Sequence, residues 1–544
     1  MIENIDLLPD NMSLEADVCI VGTGAAGLMM ALEFMDAGVQ VVMLEGGGLN
    51  PAQDAQNLYA GEVKDDAFRG LQAGRSREFG GTTRLWGGQC IRLDPIDFER
   101  RAWVPGSGWP ISYETLAPFY DRAQSRLGVA AKEFAPNVWG RFGLEVFDLN
   151  PDELNAVHGV FIRRSKLGRQ HRATFEAARN VRVLLRANVT RIGTNDHATA
   201  VSHVEFRGLS GRSGQVRAKY VVLCAGGIEN ARLLLLSDDV HPAGLGNGRD
   251  LVGRHLQDHP CGRTASITTS NPRRLQDHFN MLYGRGAFLL PKVALAEAAQ
   301  RREQALNCVG RLSYEYDQRS GMKALRDLVV DIHQRKWPEQ LSSKLMNVAL
   351  AAPMLAPNAW RLLRHGLSPA PRPSRIWLES FSEQTPNPDS RVMLSDTTDV
   401  LGLRRVKIDW RLDALTGHTL RTFTNVTALE FARLGLGTVT AAEWLEDDVP
   451  SYPNVMDSYH PTGATRMAAS PDQGVVDTNC QVFGVNGLYI AGSSVFPTSG
   501  AANPTFSIAA LALRLAEHIK RTLREPVIPV IQTTKPSLAP AGAH

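Results

Sequence analysis

Asp17-Val18-Cys19-Ile20-Val21-Gly22-Thr23-Gly24-Ala25-Ala26-Gly27 decides the fold of this chain. Its first five residues read as a buried parallel strand. The glycine-rich turn follows at once, and residues 28–37 carry a helical pattern. A second apolar run, 39–44, ends at Glu45. Strand, turn, helix, strand and terminal acid, in that order, predict a βαβ dinucleotide site. Gly22 permits the tight turn, Gly24 lets the backbone approach a pyrophosphate, and Gly27 allows close packing of the helix. The helix amino terminus at Ala25 and Ala26 turns its unpaired N–H groups to the phosphates. Glu45 stands where an acid accepts ribose hydroxyls, and Gly46-Gly47-Gly48 follows it directly. This pattern alone does not separate FAD from NAD.

At 544 residues the chain exceeds what one compact core holds, so two domains are expected. The 59 Lys and Arg against 56 Asp and Glu leave a formal charge of +3 with no dense basic block, which argues against nucleic-acid binding. Six cysteines, at 19, 90, 224, 261, 308 and 480, show neither metal-site nor redox-pair spacing. No metal is expected, and the thiols read as free in a reducing compartment, although the even count leaves a bridge open. Residues 1–14 lack the basic start and apolar core of a signal peptide, and no apolar run is long enough to cross a bilayer. A cytoplasmic protein with no transmembrane segment is therefore expected.

Residues 50–75 have weak periodicity and predict an extended excursion. Phe79-Gly80-Gly81-Thr82-Thr83-Arg84-Leu85-Trp86-Gly87-Gly88 follows, and its glycine pairs around hydroxyls and an aromatic ring suit a backbone packed on a flat ligand. A structural turn holding one core Trp is the alternative. Strands are predicted at 181–185 and 201–206, then at 220–227, which ends in Ala225-Gly226-Gly227 before a helix at 229–236. The 220–227 strand is expected to rejoin the first sheet, making the cofactor domain discontinuous. Strands at 391–394, 405–410 and 439–444 predict a second, mainly antiparallel sheet. The stretch 340–364, with Leu345, Val348, Leu350, Met354, Leu355, Trp360 and Leu362, reads as helical with breaks at Pro353 and Pro357. Its apolar face is assigned to core packing ahead of substrate access, a partner or a membrane.

Two carboxy-terminal stretches carry chemistry: Ser458-Tyr459-His460-Pro461-Thr462-Gly463 and Ala501-Ala502-Asn503-Pro504-Thr505. Oxidising an alcohol by hydride transfer requires removal of the hydroxyl proton. A neutral histidine beside that hydroxyl takes the proton, and an asparagine orients the oxygen without titrating. His460 and Asn503 each precede a proline that fixes the turn. Their separation in sequence does not bring them together; only the fold can do that. Alone, His460 also reads as a surface turn residue, and Asn503 as the cap of a last helix over 505–520.

With these motifs in order, the chain resembles the glucose–methanol–choline (GMC) flavoprotein oxidoreductases over most of its length. The resemblance rests on residues 22–27 with Glu45, on 80–88, on Val252-Gly253-Arg254-His255-Leu256-Gln257-Asp258-His259, and on 460–504. It implies an α/β fold, with a discontinuous Rossmann-like FAD-binding domain and a substrate domain built on a mainly antiparallel sheet. The FAD-binding parts would be 1–105, 181–300 and 451–525, the last also catalytic. Residues 106–180 would be a helical connection and part of the substrate domain, 301–450 the rest of that domain, and 526–544 a flexible Pro-rich tail.

The resemblance also implies roles. His460 would face flavin N5 and the substrate hydroxyl, with Asn503 in the second catalytic position. Gly81, Thr82, Thr83, Trp86, Gly87 and Gly88 would lie toward the flavin. Val189 would sit by the adenine, and Ala225 would contact the cofactor. Gly492, Ser493, Asn503, Pro504 and Thr505 would complete the FAD site, with Asp477 in the region beside it. The Gly-Gly-Thr-Thr-x-x-Trp arrangement is similar to the branch acting on sugars and polyols, which includes pyranose oxidases and fructose or glycoside dehydrogenases. Members with covalent FAD carry histidine before that tryptophan. Leu85 stands there instead, so dissociable FAD is expected. Glu383-Gln384-Thr385-Pro386-Asn387-Pro388 also resembles this branch, as side chains reaching a sugar or as a strand-entry turn. The expected reaction is oxidation of a primary or secondary hydroxyl of a sugar, glycoside or polyol, with electrons passed to O2, a quinone or another carrier. An aminosugar natural product, a simple alcohol, a sterol and a non-catalytic flavoprotein are the alternatives. The motifs carry no information on oligomeric state.

Overall fold

Met12–Val21 alternates at its start and turns wholly apolar at Val18, Cys19, Ile20 and Val21, all buried. A strand apolar on both faces needs cover above and below and partners at both edges. Val41–Glu45 and Ser213–Leu223 are those partners, both parallel. The computed structural model describes residues 1–524 apart from 137, 317–323, 325–326, 329–330, 332–336, 339, 351, 446–451 and 453. The tail expected at 526–544 lies outside the described residues.

The first sheet runs in the order Ile2–Asn4, Val181–Leu185, Val41–Glu45, Met12–Val21, Ser213–Leu223, Val201–Arg207, Asn188–Thr194. Ser213–Leu223 forks: its early half pairs antiparallel with Val201–Arg207, and its late half pairs parallel with Leu488–Ile490. Val221 stands opposite Cys19 and Val222 opposite Ile20, so the strand rejoins the first sheet as expected. Ala25–Asp36 packs over this sheet and against the last helix, Thr505–Arg524, which buries Phe506, Ala509, Ala510, Leu513 and Ala516. The alanines let the two helix backbones approach while the larger side chains fill the gaps between them.

The second sheet is antiparallel throughout: Thr438–Ala441, Cys261–Thr268, Arg375–Ser382, Cys308–Glu315, Phe288–Leu295, Leu154–Phe161, Gln89–Cys90, with Leu282–Tyr283 beside Phe288–Leu295. Cys261–Thr268 and Phe288–Leu295, inside the stretch assigned to FAD binding, thus belong to this sheet. Arg391–Thr398 and Arg404–Asp409 do not: they pair with each other, and Arg404–Asp409 pairs with Glu62–Val63, in a separate three-stranded sheet. An apolar alternation specifies a half-buried strand but not its partner. The expected excursion at 50–75 accordingly contains a short helix, Gln53–Gln56, and the paired strand Glu62–Val63.

Ala414–Arg433 is a twenty-residue helix across the second sheet that the sequence pattern did not reveal. Its threonines disfavour helix by propensity, yet Thr419, Thr424 and Thr427 donate their hydroxyls to the carbonyls of Leu415, Leu420 and Phe423 one turn back. Burial of Leu420, Phe423 and Phe431 then outweighs propensity, at roughly 1.5–3 kcal/mol per large apolar side chain. All six cysteines are free.

The stretch 340–364 departs from expectation twice. Leu341–Leu350 and Ala352–His365 are helices, and the second continues through Pro353 and Pro357. A proline in the first turn removes an N–H that has no intrahelical partner, and Pro357 forgoes one bond to a carbonyl on exposed Pro353. No residue of Leu341–Leu350 is buried, so core packing does not account for its apolar side chains.

Candidate active site

The turn after Met12–Val21 is shaped by the protein at two glycines and left open at a third. Gly22 has φ +101°, and a Cβ there would stand 2.6 Å from the Cys224 carbonyl oxygen. A Cβ on Gly27 would stand 2.1 Å from the Gly22 carbonyl oxygen, so this glycine serves helix packing. A Cβ on Gly24 would meet nothing within 4 Å. Gly24 also caps Ala25–Asp36 without a side-chain hydrogen bond, leaving the first N–H groups for a ligand. Glu45 holds this loop: one oxygen accepts from the Thr23 N–H at 3.1 Å and hydroxyl at 2.6 Å, the other from the Gly47 N–H at 2.8 Å. Three of its roughly four acceptor positions are therefore used within the protein.

A cavity of about 500 Å3 starts at this loop and ends at His460 and Asn503. Gly22, Gly24, Ala25, Ala26 and Glu45 line one end, and Val189 and Ala225 its walls. Gly81, Thr82, Thr83, Leu85, Trp86 and Gly87 follow, then Gly492, Ser493, Asn503, Pro504 and Thr505. Gly27 and Gly88 are not on its wall. Gly88 has φ +83°, and a Cβ there would stand 2.7 Å from the Ser165 side chain, a packing constraint instead of a ligand contact. Asp477 also lies off the wall, its carboxylate accepting from the N–H groups of Asn479 and Gln481. An elongated cavity with an uncapped helix terminus and an open glycine at one end, and a histidine–asparagine pair at the other, fits FAD.

His460 is aimed by the backbone. Tyr459 before it has φ +62°, a left-handed conformation that non-glycine residues seldom adopt. Asp258 holds the turn: Oδ1 accepts from the N–H groups of His259 at 2.7 Å and Ser458 at 2.8 Å, and Oδ2 accepts from the His460 N–H at 2.8 Å. Gln384 supports Asp258 in turn, its Oε1 accepting from the Asp258 N–H at 2.9 Å and the Trp410 indole at 2.8 Å. Glu383 is consumed in a fully buried ion pair with Arg101. The 383–388 segment is thus a structural turn after Arg375–Ser382, away from both cavity walls. Asp258, His259 and His460 offer ligand atoms within 4.8 Å of one another, a grouping that could hold a metal ion. Both Asp258 oxygens already accept backbone N–H groups, which explains the cluster without one.

The imidazoles form a directed chain. His259 Nε2 lies 3.5 Å from the Ser499 carbonyl oxygen, His259 Nδ1 lies 3.0 Å from His460 Nδ1, and His460 Nε2 lies 3.1 Å from the Asn503 amide nitrogen. A carbonyl only accepts, so His259 carries its proton on Nε2. Its bare Nδ1 must then accept from His460 Nδ1–H, which leaves His460 Nε2 without a proton. Asn503 donates to that lone pair. Burial, then His259 and Lys292, hold the His460 pKa well below its ordinary value. Burial lowers His259 to about 4. At neutral pH both rings are neutral, and His460 Nε2 is a free base.

A second cavity, of about 1700 Å3, meets the first here. Gln89, Arg311, Ser458, Tyr459, His460 and Asn503 line both. Its wall carries Trp377, Phe381, Trp410, Trp444 and Tyr452 together with charged groups. Lys292, 4 % exposed, faces it, and burial followed by Arg311 lowers its pKa to about 7. His259, Asp258 and Lys292 were not picked out as site residues from sequence. The 252–259 motif was the available signal for the first two; Lys292 had none, being one lysine in an otherwise apolar strand.

Family models agree with this architecture. GMC oxidoreductase models match residues 163–261 and 386–512, and an FAD binding domain model matches 15–48. The large subunit of fructose dehydrogenase from Gluconobacter japonicus is 23 % identical over 594 aligned positions, covering 95 % of this chain and 99 % of the relative. The 2-methyl-1,2-propanediol dehydrogenase of Mycolicibacterium austroafricanum is 25 % identical, covering 97 % and 99 %. Among solved structures, a fungal aryl-alcohol oxidase superposes with TM-score 0.57 at 16 % identity, covering 95 % of this chain and all of its own, which speaks to the fold. The chain belongs to the GMC oxidoreductases: it is an FAD-dependent enzyme acting on CH–OH groups.

Proposed function

We propose that this enzyme oxidises a primary or secondary hydroxyl of a sugar, glycoside or related polyol, with His460 Nε2 taking the hydroxyl proton. The Ser499–His259–His460 chain carries this reading, because it leaves His460 Nε2 unprotonated where the two cavities meet. Asn503 holds the substrate oxygen once its amide releases Nε2, and it restrains the imidazole meanwhile. FAD, when bound, supplies the hydride acceptor. The neutral, desolvated imidazole gains a charge only as the substrate proton arrives, and His259 accepts from its Nδ1–H throughout.

Aromatic faces interleaved with charged and hydroxyl-bearing groups in the larger cavity support a polyhydroxylated substrate, since apolar sugar faces stack while hydroxyls bond. The likeness to a fructose dehydrogenase subunit supports the same class. The likeness to a 2-methyl-1,2-propanediol dehydrogenase favours a small diol as the second reading. FAD is proposed to be non-covalent, because Leu85 in the cavity wall offers no linking atom.

Anaerobic mixing of the holoenzyme with monosaccharides, glycosides, aminosugars and small diols, followed by flavin absorbance, tests this. Bleaching by a sugar class supports the proposal, and bleaching by small diols alone replaces it with the second reading. Admitting air then distinguishes O2 from a quinone or other carrier as acceptor. Acid precipitation should release the flavin into the supernatant; a yellow pellet would refute non-covalent binding.

A further inference from the structure

The helix pair Leu341–Leu350 and Ala352–His365 has its polarity inverted. In the first helix the exposed positions are Ser342, Leu345, Met346, Ala349 and Leu350. Their spacing is that of one helix face, and on an ordinary surface helix that face is charged. Leu345 is 52 %, Met346 62 % and Leu350 75 % exposed. The second helix is more explicit. Its two buried positions among the described residues are polar: Asn358 Oδ1 accepts from the Ala370 N–H at 2.8 Å, and Arg361 donates to the Ser368 carbonyl and pairs with Asp277, both at 2.6 Å. Its outward positions include Trp360, 65 % exposed, and Leu363, 84 % exposed. Trp337, ahead of the pair, is 84 % exposed.

Polar groups specifically bonded inward, with aromatic and aliphatic groups outward, describe an element whose outer face expects an apolar medium. Charge identifies that medium. Between 335 and 375 the sequence holds seven Lys or Arg and a single acid, Glu339; Lys344 and Arg361 pair with Asp331 and Asp277 outside this stretch. Arg364 and Arg372 are exposed. A second copy meeting the same face by twofold symmetry would bring two cationic patches together. Tryptophan, leucine and methionine bordered by arginine match the interface of a bilayer bearing anionic headgroups. No described helix is long and apolar enough to cross a membrane, so the pair would lie in the interface.

We infer that this helix pair docks the enzyme on the surface of an anionic lipid bilayer. The docking face is tied to the substrate cavity, because the chain runs from the second helix into Arg375–Ser382, whose Trp377, Glu379 and Phe381 line that cavity.

Holoenzyme sedimented with phosphatidylcholine vesicles, with and without roughly 30 % phosphatidylglycerol, provides the test. Binding is expected with phosphatidylglycerol and should weaken as salt is raised. The combined Trp337→Ser, Trp360→Ser and Leu363→Ser variant should partition at least ~10-fold less, with FAD content and turnover of a soluble alcohol unchanged. Absence of binding to anionic vesicles at low salt overturns the inference, as does equal binding by the variant. A wild-type dimer that the three substitutions dissociate, with vesicles ignored, would assign the face to a second copy and equally overturn it.

Discussion

His259 has no place for substrate in the proposed reaction, yet it sets the tautomer of the base, and replacing it tests the catalytic reading most sharply. His259→Leu removes the acceptor 3.0 Å from His460 Nδ1 and leaves a buried N–H without a partner. Leaving a buried donor unsatisfied costs ~1–3 kcal/mol. The imidazole avoids that cost by moving its proton to Nε2, which then has none to receive. Population of the competent tautomer, and with it the rate of flavin reduction, should fall roughly 5- to 150-fold, at about 1.4 kcal/mol per factor of ten. His259→Asn places a carbonyl oxygen close to the lost nitrogen and should recover most of the rate. Anaerobic stopped-flow reduction with a saturating alcohol is the assay, with flavin-to-protein ratio as the control for folding. If His259→Leu reduces FAD within twofold of wild type, the tautomer argument is wrong. Equal losses in both variants would make His259 a packing residue only.

Four further outcomes follow from the same site and its supports. His460→Ala should slow flavin reduction at least ~10²-fold, and an unchanged reductive rate would remove His460 from the mechanism. Because the His460 pKa is held below its ordinary value, the reductive rate should be level from about pH 6.5 upward and fall only in more acid solution, as the base becomes protonated. Lys292→Met removes a positive charge that disfavours the imidazolium, so the His460 pKa rises and the acid limb of the profile moves to higher pH; a shift to lower pH contradicts the assignment. Arg101→Met strands the Glu383 carboxylate in a site with no exposure, at a cost of about 3–5 kcal/mol, read as a lower urea midpoint. The Arg101→Met/Glu383→Met pair should be more stable than the single variant, and equal midpoints for wild type and Arg101→Met would refute the estimate.

Local grammar made part of this protein legible in one dimension. A strand, a glycine turn, a helix and a terminal acid are contiguous, and each residue type answers a backbone or phosphate requirement a few ångströms away. Hence 17–45 could be read as a dinucleotide site, and Gly22, Gly24, Ala25, Ala26 and Glu45 lie on the cavity wall while Gly27 does not. His460 and Asn503 were identifiable as chemistry, but their contact depends on strands that only pair in the fold. Sheet membership was decided in three dimensions for the same reason: the apolar residues of 261–268, 288–295 and 391–409 call for burial without naming the neighbouring strand. The tautomer of His460 is a tertiary property throughout, set by a carbonyl at Ser499 and a ring at His259. Lys292 acquires its lowered pKa from burial by chain segments far from it in sequence. Even the apolar residues of 341–363 were plain to read, while the direction they face was not. Hydrophobicity along a chain is local, but inside and outside are defined only when the rest of the molecule has packed.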